Sequence, residues 1–468
     1  MSHRTPYPLS SGPELDEAFA PSGELRPLYA EVVRDLAAAD LPRRADGIAE
    51  ALAARGVQFG GSSGWPFVVD QVPRLIEAGE WADVSAGLER RAATLEAFVA
   101  DVHGEGACFA DGVVPADLLD GCPFHEPLLD GLPDPPTARI AVAGMDLVRA
   151  ETGELLVLED NCRTPSGLAY ALAAREAVAP LYAGTPAIRD FGAELAAALG
   201  TAFAAARPPG APAEGQAVLL SDGPGNTAWW EHKELARLAG VEVLLTSELS
   251  LDGDTLVRAD TGRPIAVAYR RTDVDRLQDD RGELTPLGRL LAPPLRAGTL
   301  GLMNWFGTGV ADDKRVHAHV DELTSYYLGE PPLIRSVPTI DLADPARLDE
   351  ALERAAELVL KPRDGHGGHG VVIGPAASAE ELADVRAEVR RAPAGWIAQE
   401  VVALSTHPTA IGGELRPRHV DLRPFVIATG PRTWTVLPGG LTRVALTAGE
   451  MVVNSSRGGG GKDTWVLR

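Results

Sequence analysis

Residues 358–374 read LVLKPRDGHGGHGVVIG. An apolar run ends in Lys361, glycines follow at 365, 367, 368 and 370, and a second apolar run closes the stretch. A loop that cradles phosphate needs inward-pointing backbone N–H groups with no side chains in the way, and Gly365, Gly367, Gly368 and Gly370 meet that need. The common phosphate loop carries its lysine after the glycines, at the mouth of a helix. Here the lysine comes first and a strand follows. The stretch therefore reads as a strand–loop–strand lid, with Lys361 beneath it to meet the α- and β-phosphates of a nucleotide. The competing reading is a tight hairpin with a solvated lysine. His366 and His369 are too few for a metal site.

A nucleoside triphosphate requires Mg2+, which takes carboxylate or amide oxygens beside phosphate and water. Residues 144–167, GMDLVRAETGELLVLEDNCRTPSG, offer them. The runs 138–150 and 154–160, joined by Glu151–Gly153, read as a hairpin. Period-two alternation puts Glu159 and Asn161 on one face and turns Asp160 away. Asp146 lies level with Glu159, because both are at similar distances from the turn. The expected Mg2+ ligands are Asp146, Glu159 and Asn161, with Arg163 just beyond to contact a phosphoryl group. Asp-Asn before Thr-Pro-Ser-Gly is also ordinary turn chemistry. A lone Glu ending a buried strand, however, is costly unless paired or metal-bound.

The 468 residues are 45% hydrophobic and 23% charged, with a formal charge of −23. Such an acidic surface repels phosphate backbones, so nucleic acid is not expected as a partner. No run reaches the ~18 unbroken apolar residues of a membrane span, and MSHRTPYPLS has no apolar core for a secretory signal. Cys108, Cys122 and Cys162 are too few and too dispersed for a disulfide framework or zinc cluster. The expectation is a cytoplasmic protein with free thiols.

Along the chain, 13–57 and 72–103 show helical spacing, interrupted by the loop GGSSGWPF (60–67). The Pro/Gly-rich stretch 207–216 reads as a boundary. After it come a strand (217–221), a helix, a strand, and IAVAYRRTD (265–273), an order that predicts a small parallel α/β unit. Residues 312–329 read as helix. From 355 strands dominate, at 357–361, 371–373, 396–402, 422–428, 433–437, 441–446 and 450–453. The expected divisions are 1–130, mostly helical; 131–206, metal-binding; 207–305, inserted α/β; and 306–468, the lysine and lid half.

These stretches resemble the ATP-grasp superfamily, specifically its circularly permuted members related to glutathionylspermidine synthase. The metal set precedes the lysine, reversing the ordinary order. Further matching stretches are GTGVADDKRVHAHV (307–320), SYYLGEPPL (325–333), RPRHVDLRPFV (416–426), LPGGLTRVAL (437–446) and VVNSSRGGGGKDTWVL (452–467). The resemblance implies an α+β fold: an ATP-grasp in permuted order with a helical N-terminal region and the inserted α/β unit. It implies that Lys314 and Lys361 hold the ATP phosphates, that Asp146, Glu159 and Asn161 hold Mg2+, and that Gln399 and Glu400 lie near the adenine. It also implies an ATP-dependent carboxylate–amine ligase acting through an acyl phosphate on small-molecule or peptide substrates. His366, Cys162 and Arg457 depart from the usual pattern and bear on substrate preference.

Such a ligase needs positive groups beyond Mg2+. Arg423 shares a face with Asp421 at period two and, with Lys462, is expected to act in catalysis; Arg443 stays open. Arg457 is a candidate substrate contact. Arg270 and Arg271 end a strand where a carboxylate could dock, although a structural salt bridge suits one of them equally. His317 and His319, two apart on a helix, cannot share a face. Two alternatives remain: a phosphotransferase using the same ATP site, and a non-catalytic ATP-binding component of an assembly.

Overall fold

The structure, a computed structural model, describes residues 7–8, 15–60, 64–182, 186–274, 276–279, 281–364, 370–450 and 459–468. Gly365, Gly367, Gly368, His366, His369 and Arg457 lie outside the described residues, as does most of the strand expected at 450–453.

A seven-stranded sheet forms the centre. Its order is Val69–Ile76, Gly460–Val466, Thr433–Val444, Glu414–Gly430, Val142–Arg149 and Leu155–Asn161, with Thr406–Ile411 paired to Glu414–Gly430 off that path. Alternation along the strands builds a core on each face. Phe425 and Ile427 pack with the helices Leu168–Val178 and Phe191–Ala205, beside Leu441 and Trp465. Leu422 and Val426 join Ala143, Met145 and Leu147 against the helix Ala78–Val102. Odd positions 143, 145 and 147 thus serve the second core, which leaves Gly144 and Asp146 on the first face.

The hairpin forms with the expected register: Asp146 pairs with Glu159 and Gly144 with Asn161. A register shift between Asp146 and Leu147 takes up the odd residue. Gly153 turns the chain at φ 88°, a conformation that costs a glycine little.

A second sheet, antiparallel, runs Thr339–Asp341, Trp396–Glu400, Leu358–Pro362, Val372–Ile373. It is tied to the first at the edge strand of the hairpin. Val157 N donates to Arg335 O (2.9 Å), Val337 N donates to Val157 O (2.8 Å), and Gln399 Nε2 reaches Leu158 O (3.4 Å). The inserted unit is a parallel sheet ordered Gly301–Met303, Ile265–Arg271, Gln216–Ser221, Glu242–Leu245.

Two expectations need correction. Residues 69–76, read within a helix, form a fully buried strand parallel to Gly460–Val466; a strand buried on both faces loses the alternation that marks it. Residues 312–329 are not one helix: the 3-10 turn Thr308–Asp312 leads into Lys314–His317, and Val320–Leu328 follows.

Candidate active site

Lys361 is positioned by the pleat of its strand. Leu358 and Leu360 enter the core of the second sheet, so Val359 and Lys361 face the other way. Gln399, opposite Val359 in the ladder, shares that face, and Lys361 Nζ donates to its Oε1 at 2.5 Å. Gln399 is held in turn by Thr339 Oγ1 (3.0 Å) and the Leu158 carbonyl. Lys361, Lys314, Glu159, Asp160, Asp312 and His317 line one narrow cleft of about 10 Å³, with Leu158 and Ile397 as its apolar walls. Lys314 Nζ lies 3.5 Å from Glu159 Oε1 and donates to Arg363 O at 3.4 Å. Desolvation of the Lys361 ammonium pushes its pKa down to about 8; Lys314 adds to the fall, while Glu159 and Asp146 oppose it.

The two lysine-bearing segments are fastened by a buried ion pair. Asp313 caps the Lys314 helix by accepting from Arg315 N (2.9 Å), and its carboxylate also takes Arg363 Nε at 2.9 and 2.7 Å. Arg363, two residues beyond Lys361, donates further to Leu118 O and Asp120 O, both at 2.6 Å. This clamp sets the spacing between the lysines.

Asp146 carries two arginines. Arg423 meets it bidentately (2.5 and 2.7 Å), and Arg443 Nη2 reaches its Oδ2 at 2.7 Å. Arg443 also pairs with Asp421, Nε to Oδ1 at 2.9 Å. Burial pushes Asp146 up, but the Arg423 and Arg443 guanidiniums outweigh it and hold the carboxyl below the usual carboxylate range. Burial raises Asp421, helped by the Asp146 charge. A Cβ on Gly144 would stand 3.3 Å from Arg423 Cδ, so the glycine gives that side chain its room. Asp146, Glu159 and Asn161 share a sheet face and offer the hard oxygen donors that suit Mg2+. The Asn161 nitrogen is buried without a hydrogen-bond partner among the described residues. Among the described residues, no three His, Cys, Asp or Glu side chains form a metal-holding group; the third donor here is an amide.

Other expected residues divide between the cleft and the frame. Arg163 stands beside the cleft-lining Asp312, its Nε 3.5 Å from Asp312 Oδ2 and its guanidinium 4.1 Å from the Phe124 ring centroid. Glu400 is engaged by Arg354 at 2.9 and 3.0 Å. Gly370 has φ 71°, and a Cβ there would come within 2.7 Å of Pro362 Cγ. Three expected basic residues are held by buried partners in the frame. Lys462 is fully buried, paired with Asp70 and donating to Pro408 O (2.9 Å). On the pleat it shares a face with its partner Thr442, not with Arg443. Arg270 is fully buried over the Phe306 ring, donating to Asn304 O at 3.3 Å. Arg271 pairs with Glu231 at 3.1 Å. Glu231 accepts from Ser166 Oγ (2.7 Å), Gly167 N (2.8 Å) and Ala169 N (3.0 Å), so this pair holds the loop after the acid motif.

Sequence reading missed His317 and Arg91. Asp160, which alternation alone would turn from the site, borders the cleft and takes both ends of Arg91 at 2.6 Å and His317 Nδ1 at 2.9 Å. The imidazole thereby lines the cleft from below.

A family model described as circularly permuted ATP-grasp type 2 matches residues 73–445. An uncharacterized protein of Mycobacterium tuberculosis is 40% identical over 468 residues, which cover 97% of this chain and 84% of that protein. A Frankia alni protein provisionally named glutamate–cysteine ligase 2-3 is 42% identical; the match covers 97% of this chain but 54% of that protein, about half its length. The apo structure of a glutathione synthetase-like effector from Globodera pallida superposes with TM-score 0.56 at 12% identity, over 96% of this chain and 100% of that one. At that identity the likeness is one of fold. No helix among the described residues is long and apolar enough to cross a membrane. An acid hairpin written before the lysine strand, yet meeting it across one cleft, is what a permuted ATP-grasp requires, and the match over most of the sequence agrees: this chain belongs to the circularly permuted ATP-grasp type 2 family.

Proposed function

We propose that the protein is an ATP-dependent carboxylate–amine ligase. The observation that carries this reading is the meeting of Lys314 and Lys361 with Glu159 in one cleft, built from chain segments in reversed order. Lys314 and Lys361 would hold the ATP phosphates, with the adenine near Gln399 and Glu400. Asp146, Glu159 and Asn161 would hold Mg2+, which when bound supplies charge neutralisation at the β- and γ-phosphates. The substrate carboxylate attacks the γ-phosphorus, releasing ADP and leaving an acyl phosphate. Arg423 and Arg443 stand on the same sheet face to stabilise the oxyanion, and an amine then displaces phosphate to form the amide.

The name of the Frankia relative favours an amino-acid carboxylate as the acid. That name describes a protein of which this chain matches about half, so it bears on the class of reaction more than on the substrate. The test is an ADP-release screen over amino acids, small peptides and polyamines, with condensed products identified by mass. Ligation gives a product heavier than either substrate by the other less water. A product heavier by a phosphoryl group, or no ADP release with any pair, contradicts the reading.

The lysine environment adds a pH prediction. Lys361 is charged below about 8 and neutral above, so ATP affinity holds at lower pH and weakens as pH rises through that value. Binding above pH 8 takes up a proton as the phosphates restore the ammonium. Calorimetry in buffers of different ionisation enthalpy reads that proton directly; a flat affinity from pH 7 to 9.5 contradicts it.

A further inference from the structure

The four side chains Asp146, Arg423, Arg443 and Asp421 form a closed set of two carboxylates and two guanidiniums on one sheet face. Arg423 spans both Asp146 oxygens, and Arg443 bridges Oδ2 of Asp146 to Asp421. The arginine side chains are 15% and 13% exposed, the aspartates 3% and 4%. A carboxylate offers about four lone-pair positions, and three of those on Asp146 already receive N–H donors. Yet Asp146 stands directly across the ladder from Glu159, where a divalent cation shared by the two would lie. A dication that joins this carboxylate while two guanidiniums remain on it meets strong like-charge repulsion in a partly buried setting.

We propose that Asp146 is the internal occupant of an oxyanion site formed by Arg423 and Arg443, and that it leaves this site when it takes up a divalent metal. The inference rests on the metal reading given above. In the metal-free protein the carboxylate fills the two planar forks. With metal bound, the forks turn to an external carboxylate or phosphoryl group, whose geometry a guanidinium matches bidentately. The loop carrying Ser166 sits beside them, its carbonyl accepting from Arg423 Nη1 at 3.2 Å. Charge balance drives the exchange: the metal brings two positive charges to a neutral set, and an anion restores neutrality. Metal and anion therefore bind with positive coupling, and by linkage each strengthens the other equally. A closed cleft would thus assemble its oxyanion stabilisers only once metal is present.

The test uses Mn2+, followed by electron paramagnetic resonance, and inorganic phosphate, followed by calorimetry. In the wild type, saturating phosphate tightens Mn2+ binding by about tenfold or more, within the usual range of coupling between sites, and Mn2+ tightens phosphate equally. D146N removes the occupant's charge, so phosphate binds this variant without metal about tenfold more tightly than it binds the wild type, and the coupling disappears. R443Q takes up Mn2+ more tightly without phosphate and also loses coupling. Independent Mn2+ and phosphate binding in the wild type overturns the proposal, whether or not the variants fold. So does a folded D146N with unchanged or weaker phosphate affinity, the result expected if Asp146 is only structural. ATP binding by the wild type, measured alongside, separates the two readings. ATP bound without coupling sinks this inference alone, and no ATP bound sinks the nucleotide site beneath it.

Discussion

Lys361→Ala lowers ATP-driven ADP release by about 10²–10³-fold, the loss expected when one preorganised positive group at developing charge is removed. The lysine is held in place before any ligand arrives: Gln399 takes its ammonium, and Gln399 is itself fixed by Thr339 and the Leu158 carbonyl. Deleting the lysine leaves Gln399 with two of its three partners, so the fold should survive. Thermal unfolding within a few degrees of wild type, together with the kinetic loss, locates the effect in the cleft. Full activity in Lys361→Ala would mean that the phosphates lie elsewhere.

Arg363→Ala has the largest expected effect on stability. Its guanidinium is buried against Asp313 and two backbone carbonyls. Removing one partner of a buried pair leaves the other charge uncompensated, which costs about 3–5 kcal/mol. The same change frees the Lys361 strand from the cap of the Lys314 helix, so ATP affinity falls as well. Chemical denaturation and nucleotide titration of the variant check both parts. Unchanged stability with normal ATP binding would show that the clamp does not set the lysine spacing.

Much of this arrangement was legible in the chain. The acid hairpin could be read because a short turn pairs its two strands, although counting outward from that turn puts Asp146 opposite Leu158, and only the register shift beside Asp146 moves its partner to Glu159. Lys361 stood out because glycines break the pattern just after it. Arg423 and Asp421 share a face by simple alternation. The strand 69–76 could not be read, since burial on both sides erases alternation and leaves apolar spacing that passes for helix. Lys462 and Arg271 illustrate a different limit. Whether a basic residue faces a ligand or a buried acid depends on where the acid is, and Asp70 lies 392 residues from Lys462. Arg443 reaches Asp146 across 297 residues, which no local pattern announces. Among the described residues the His317 ring has no partner on its own helix, and its partner, Asp160, comes from the edge strand of the central sheet.

The central claim is that two halves of the chain, in permuted order, build one nucleotide cleft. The most direct measurement is a crystal structure with a non-hydrolysable ATP analogue and Mg2+. The account predicts the triphosphate between Lys314 and Lys361, with metal density on Glu159 and Asn161 and with Asp146 turned from Arg443 toward it. Triphosphate density remote from both lysines, or metal bound with none of the three acid-hairpin donors, would contradict it.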